Sequence, residues 1–253
     1  MLPNPTDRFT GRVESYRRYR PTYPPAIVDL LTRACALNPE STVADVAAGT
    51  GLLTEIFLSA GFTVTAIEPN DEMRAACATL EPQYPKLQVR SGTAEAAGLP
   101  DHSVDLITVA QAMHWFDLDR ARAEFARILK PGGCCAAIYN NRRLGGDPFH
   151  DGYELLLLDF GVDYGAVKQQ HVGRKRLAQF FSPSPMQCAS LPNSQALTLE
   201  ALEGRILSSS YMPQPCQPRY DEMRAAIERL FAQTQSNGAV TMEHDCLVCY
   251  GQI

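Results

Sequence analysis

The chain has 253 residues, 45% of them hydrophobic and 20% charged, with a net charge of −5 and a pI of about 5.6. This composition describes a globular protein long enough for one sizeable α/β domain with an inserted cap, or for two small domains. The acidic balance argues against nucleic-acid and anionic-membrane partners, and no apolar run approaches the ~20 residues of a membrane span.

The opening MLPNPTDRF lacks the charged-then-apolar layout of a signal peptide, and the eight cysteines are scattered, so a reduced, cytoplasmic setting is expected. The next stretch, RFTGRVESYRRYRPTYP, is locally basic and aromatic. Tyr16, Tyr19, Arg20 and Tyr23 recur at near-helical spacing, and Pro21 stops the helix. They form either a solvated helix face with aromatic packing or an arm over a ligand, Arg20 pairing a carboxylate and the tyrosines giving flat walls. An amphipathic helix follows over 24–35.

Residues 42–68, TVADVAAGTGLLTEIFLSAGFTVTAIE, organise the chain. They predict a buried strand, a glycine turn at Gly49 and Gly51, a helix over 52–60, and a second strand, Thr63–Ile67, ending at Glu68. An acid at that tip, roughly twenty residues past the turn, is placed to bind both hydroxyls of a ribose. A dinucleotide site needs a third small residue where Thr54 stands, and Asp45 would set negative charge beside a pyrophosphate; that charge suits an ammonium group instead. Beyond Glu68, Asn70 or Asp71 caps a helix whose first turn holds Met73, either an adenine wall or a core residue.

A third strand, Leu87–Arg90, leads to Gly92-Thr93-Ala94-Glu95, just past a strand end where parallel sheets bind ligands. Val104–Ala110 is apolar on both faces, as a central strand should be, and delivers Gln111-Ala112-Met113-His114-Trp115-Phe116. Gln111 falls nearest the reacting centre, and His114 is a general base, an orienting donor or a residue packed beside Trp115. Asp117 caps a helix over 118–129, Lys130-Pro131-Gly132-Gly133 ends it, and a strand over 134–139 gives way to a loop at Asn140. Cys134 and Cys135 open that strand, and Cys246 and Cys249 lie on an alternating one, where residues three apart face opposite ways; packing, not metal binding, is expected of all four. Periodicity fades over 144–217, apart from helices over 149–160 and 168–181. Arg205, Ser208, Ser209, Ser210 and Tyr211 make either a helix end satisfied by its own serines or an acceptor contact. A helix over 220–233 and a closing antiparallel strand over 239–250 end the chain.

In order, VADVAAGTG, AIEPNDEM, GTAE, VDLITVAQAMHWF and RILKPGG resemble the motifs of small-molecule class I S-adenosylmethionine-dependent methyltransferases (type 11). The Y-x-x-Y-R-P-x-Y-P start and Q-A-M-H-W-F are similar to the branch that includes trans-aconitate methyltransferases. Ala47 replaces the usual first glycine, which only trims space, and Thr93 replaces the family's adenine-binding acid. The resemblance implies a Rossmann-like, doubly wound seven-stranded sheet, mostly parallel with one antiparallel strand, and an α-helical cap. It divides the chain into an arm and helix (1–40), a cofactor core (41–140), a cap (141–218) and a closing helix and strand (219–253). S-adenosylmethionine, leaving as S-adenosylhomocysteine, would meet Tyr16, Arg20, Asp45, Ala47, Gly49, Gly51, Glu68, Pro69, Met73, Thr93, Ala94, Glu95 and Gln111. A small-molecule acceptor would meet Tyr23, His114, Trp115, Tyr139, Arg205 and Tyr211, the arginines favouring an acid. O- or N-methylation is implied, by a monomer or homodimer without a metal. The alternative is a cofactor-binding protein of regulatory or non-methylating role.

Overall fold

The computed structural model describes residues 13–162, 164–165 and 173–253. Expectations that fall on 1–12 and 166–172, the first part of the arm and the start of the second cap helix, lie outside the described residues.

Short apolar runs build one seven-stranded sheet in the order β3-β2-β1-β4-β5-β7-β6. Strands β1 (Thr42–Val46), β2 (Thr63–Ile67), β3 (Leu87–Arg90), β4 (Val104–Ala110) and β5 (Leu129–Arg142) are mutually parallel. Strand β7 (Val240–Gly251) is antiparallel to both β5 and the edge strand β6 (Gln187–Leu197), so it alone runs against the rest. Strand order reverses between β1 and β4, and their carboxyl ends open the crevice at which this topology binds ligands.

Alternation along the strands feeds two core layers. Val43 and Val64 pack with Ile27, Leu31, Phe57 and Cys77 of helices α2 (Ala26–Ala34), α3 (Thr54–Ser59) and α4 (Asp71–Ala78). Ala44 and Val46 face the other way, onto Phe125, Phe180 and Phe181 of α5 (Leu118–Ile128) and α7 (Arg174–Phe181). Cys134 and Cys246 lie in the first layer and Cys135 and Cys249 in the second, so neither pair can converge on one ion, and all eight cysteines are free. A third cluster joins α6 (Pro148–Phe160), α8 (Leu199–Leu207) and α9 (Tyr220–Thr234) through Tyr153, Leu157, Ile206 and Ile227. Among the described residues no helix is long and apolar enough to cross a membrane.

Two features depart from the sequence reading. Strand β5 does not end at Tyr139; β7 pairs with it as far as Arg142, opposite His244, and so extends it through Asn140. Strand β6, inside the expected cap, joins the sheet: its half-exposed pattern and Pro192 suit an edge, where a missing N–H breaks no ladder.

The arm helix α1 (Val13–Tyr19) buries none of its own residues and is held by polar contacts. Tyr19 donates to Glu200, Arg18 pairs with Glu200, Gln195 donates to the Tyr19 carbonyl, and Arg17 donates to Thr79. The docking needs Gly204, because a Cβ there would lie 2.2 Å from the Tyr19 ring. Gly204→Ala should therefore release the arm and leave the core intact. Tryptic cleavage at Arg17 and Arg18 should quicken several-fold, with Tm shifted by no more than ~3 °C.

Candidate functional site

Two cavities meet at the carboxyl ends of β1 and β4. The first, of about 260 Å³, is walled by the turn after β1 (Ala47, Gly49), by Glu68, Pro69, Asn70 and Met73 after β2, and by Thr93, Ala94 and Glu95 after β3. Gln111, Trp115 and Phe116 after β4, with Tyr16 of the arm, complete it. The second, of about 400 Å³, is lined by Arg20 and Tyr23, by His114, by Asn140 and Arg142 of β5, by Tyr153 and Tyr164, and by Arg205 and Tyr211. Tyr16, Gln111 and Trp115 line both.

The first cavity gathers ten of the expected cofactor residues. Glu68 is 7% exposed, its Oε2 accepting from the Gly49 N–H and its Oε1 from the Asn70 N–H, both at 2.9 Å. Burial raises its pKa, and the two amide bonds work against that rise. Each carboxylate oxygen keeps a second lone pair, enough to accept from a vicinal diol. The segment after β3 is pinned by paired backbone bonds between Thr93 and Ala96, and Glu95 accepts from the Asp117 N–H at 2.9 Å. Asn70 is the residue that caps α4.

Three lining residues hold left-handed backbone: Ala47 at φ +56°, Gly49 at +59° and Gln111 at +58°. A Cβ on Gly49 would meet nothing within 4 Å, so this glycine leaves open room where a ligand would come close. Ala47 does more than trim space, because an L-residue in this region costs roughly 1–2 kcal/mol. Strain of this kind gathers at ligand sites.

Three expected cofactor residues are placed elsewhere. Gly51 lines neither cavity; at φ +87° its Cβ would meet Leu80 Cδ1 at 2.8 Å and Cys77 Sγ at 3.0 Å, so it lets the turn pack on α4. Arg20 lines only the second cavity. Asp45, 1% exposed, lies outside both linings, its Oδ1 accepting from Thr108 at 2.9 Å and its Oδ2 from Thr54 at 2.5 Å. Burial pushes its carboxyl up to about 6 despite these bonds.

Of the expected acceptor residues, only Tyr139 is absent from the second cavity. It is 5% exposed and packs in the core layer of Phe125, because the prolonged strand turns it inward and its neighbour Asn140 outward. Asn140 and Arg142 share that outward face, a period-two signal that was available had the strand been extended. Tyr153, on the expected helix over 149–160, and Tyr164, in the stretch of faded periodicity after it, line the cavity too but carry no motif that marks them as contacts. His114 sits in a 3-10 turn, Met113–Trp115, its ring 4.5 Å from that of Trp115. Ser208 closes the end of α8 on the Arg205 carbonyl at 2.6 Å, whereas Ser210 faces the second cavity.

Asp45 makes stability depend on pH in a definite direction. Its folded-state pKa of about 6 exceeds the unperturbed 3.8, so its ionisation opposes folding by about 3 kcal/mol above pH ~6 and by nothing below pH ~4. Asp45→Asn can still bond both threonine hydroxyls. Without ligand it should stabilise the protein in urea melts at pH ~7.5, and the gain should vanish by pH ~4.

Residues 44–137 match the methyltransferase-domain family. An uncharacterised methyltransferase of Mycobacterium tuberculosis is 43% identical over 139 residues, 54% of this chain and 54% of that protein. The chain thus spans about half the length of the curated relatives it matches. A protein of Anaeromyxobacter dehalogenans assigned as a type II methyltransferase superposes with a TM-score of 0.66 at 22% identity, covering 92% of this chain and 98% of that one. A phosphoethanolamine N-methyltransferase of Haemonchus contortus, in complex with phosphomonomethylethanolamine and S-adenosylhomocysteine, does so with 0.59 at 13% identity, over 99% of this chain and 59% of that one. The structural likenesses establish the fold. Over residues 44–137, the chain is similar to the methyltransferase-domain family.

Proposed function

We propose that the protein transfers a methyl group from S-adenosylmethionine to a small-molecule acceptor, the cofactor in the first cavity and the acceptor in the second. The observation that carries this reading is the wall the two cavities share, Tyr16, Gln111 and Trp115, at the switch point of the sheet. The residues present fit the cofactor. Glu68 offers lone pairs to the ribose hydroxyls, Gly49 leaves room for the chain of the nucleoside, and Met73 with Thr93–Glu95 bounds a slot for a flat base. When bound, this cofactor supplies a methyl group already activated on a sulfonium.

The protein's own task is then to position and to exclude water. Tyr16 and Trp115 close the junction from opposite elements, and the strained backbone of Gln111 fixes the tip of β4 between the cavities. His114 lines the acceptor cavity alone, where it can take the proton of a hydroxyl or amine acceptor; a carboxylate would need no base.

In a calorimetric titration, S-adenosylmethionine and S-adenosylhomocysteine should both bind and NAD should not. Silence with both sulfur nucleosides, in a folded sample, would overturn the proposal. Glu68→Ala should lose about 1.5–3 kcal/mol of cofactor affinity, roughly tenfold or more. His114→Ala should slow turnover more than it weakens cofactor binding; the reverse pattern would make it a packing residue.

A further inference from the structure

The second cavity is unbalanced in charge. Among the described residues its lining holds Arg20, Arg142 and Arg205, and no aspartate or glutamate. Arg142 is answered locally, since it pairs with Glu154, lies over the Tyr153 ring at 4.7 Å, and reaches the Tyr164 hydroxyl at 3.3 Å. The other two arginines meet no carboxylate among the described residues. Arg20 donates to the Ser208 carbonyl at 3.0 Å and lies over the Tyr16 ring at 5.0 Å, but its inaccessible Nε meets no acceptor. The Arg205 guanidinium makes no hydrogen bond or ion pair among the described residues, and its Nε too is shut off from solvent.

Burial, and after it the charge of Arg20, hold the Arg205 guanidinium below the usual range. His244, fully buried on β7 opposite Arg142 with both ring nitrogens unpartnered among the described residues, is held neutral by burial, its pKa down at about 4. It neither adds to the positive charge nor offsets it. Two facing guanidiniums without a carboxylate are costly, because buried charge is stable only when paired. A planar five-donor fork left open is also the arrangement that binds carboxylate or phosphate oxygens best.

We infer that the acceptor carries a carboxylate or phosphate group seated between Arg20 and Arg205, with its body against Tyr153, Tyr164 and Tyr211. Naming this ligand the acceptor rests on the methyl-transfer reading; the anion site itself does not. A second consequence follows from where Arg20 sits. It directly follows α1, whose Tyr16 walls the cofactor cavity, and the repulsion between Arg20 and Arg205 opposes docking of that arm. An anion bridging the two removes the repulsion, ties the arm to α8 and so tightens cofactor binding.

The test uses the full chain, with and without saturating S-adenosylhomocysteine, at constant ionic strength. Benzoate, succinate, citrate, inorganic phosphate and phenyl phosphate are titrated beside the neutral benzamide and succinamide. At least one anion should bind, raise Tm and tighten S-adenosylhomocysteine several-fold, while the amides do nothing. Arg205→Gln should bind that anion at least tenfold more weakly, yet melt without it at an equal or higher temperature, because an unpaired charge has gone. Arg205→Lys should keep part of the affinity. Carboxylates alone, or phosphates alone, would each support the site and assign its anion. Amides as effective as anions, no binding by any anion, or unchanged anion binding in Arg205→Gln would overturn it. Anion binding by a wild-type protein that ignores S-adenosylhomocysteine would keep the site and sink the methyl-transfer reading.

Discussion

The architecture of the crevice depends on how two carboxylates are kept buried at the ends of adjacent parallel strands. Glu68 ends β2 and accepts amide protons from the turn after β1 and from the start of α4, so one side chain ties together three segments that sequence alone leaves independent. Asp45, on β1, does the same in the layer below, joining α3 through Thr54 and β4 through Thr108. Buried carboxylates without such donors would be expensive or protonated. With them, the acids fix the glycine turn, hold Ala47 and Gly49 in left-handed backbone and set the distance between the strand tips. The first cavity is therefore a rigid product of the sheet.

The second cavity is built on other terms. Its walls are side chains from scattered places in the chain: the arm, the turns after β1 and β4, β5, α6 with the residues after it, and α8 with the residues after it. The arm is fastened by polar contacts on the surface, such as the pairing of Arg18 with Glu200, and exposed pairs of this kind contribute little each. Opening there costs far less than disturbing the sheet, so the lower stability lies at the arm that walls the second cavity.

This difference explains what was legible in the sequence. The central strand β4 was readable to the residue as a short, mostly apolar run, and β2 and the edge strand β3 as short segments bounded by turn residues, purely local signals. Glu68 and the turn before it were readable because their spacing is imposed by one helix crossing one strand pair. Tyr139 was misplaced because the end of β5 is set by pairing with β7, over a hundred residues away, and a strand that runs on by three residues decides which side chains face out. Strand β6 was invisible because its more buried positions, Ala189, Leu191, Asn193, Gln195 and Leu197, mix apolar with polar side chains, and a proline, tolerated on an edge, interrupts it. Gly51 was readable as a necessary glycine, but whether a Cβ would meet a ligand or a leucine depends on α4, which no motif encodes. The threonine partners of Asp45 fall under the same rule, since one lies 63 residues along the chain.

The two cavities also differ in sign, and their shared wall separates the regions. On one side stand Glu68 and Glu95, with Asp45 behind them; on the other stand Arg20 and Arg205, with Arg142 already paired. A cationic donor and an anionic acceptor would each be drawn to its own side, and neither cavity would hold the other's ligand well. Across the wall of Tyr16, Gln111 and Trp115, the two ligands would then attract each other where water is scarce and screening weak. Charge would thus sort the ligands before the short contacts at the junction align them. That division of labour suits a fold whose first cavity is fixed by its sheet and whose second is free to vary with the acceptor.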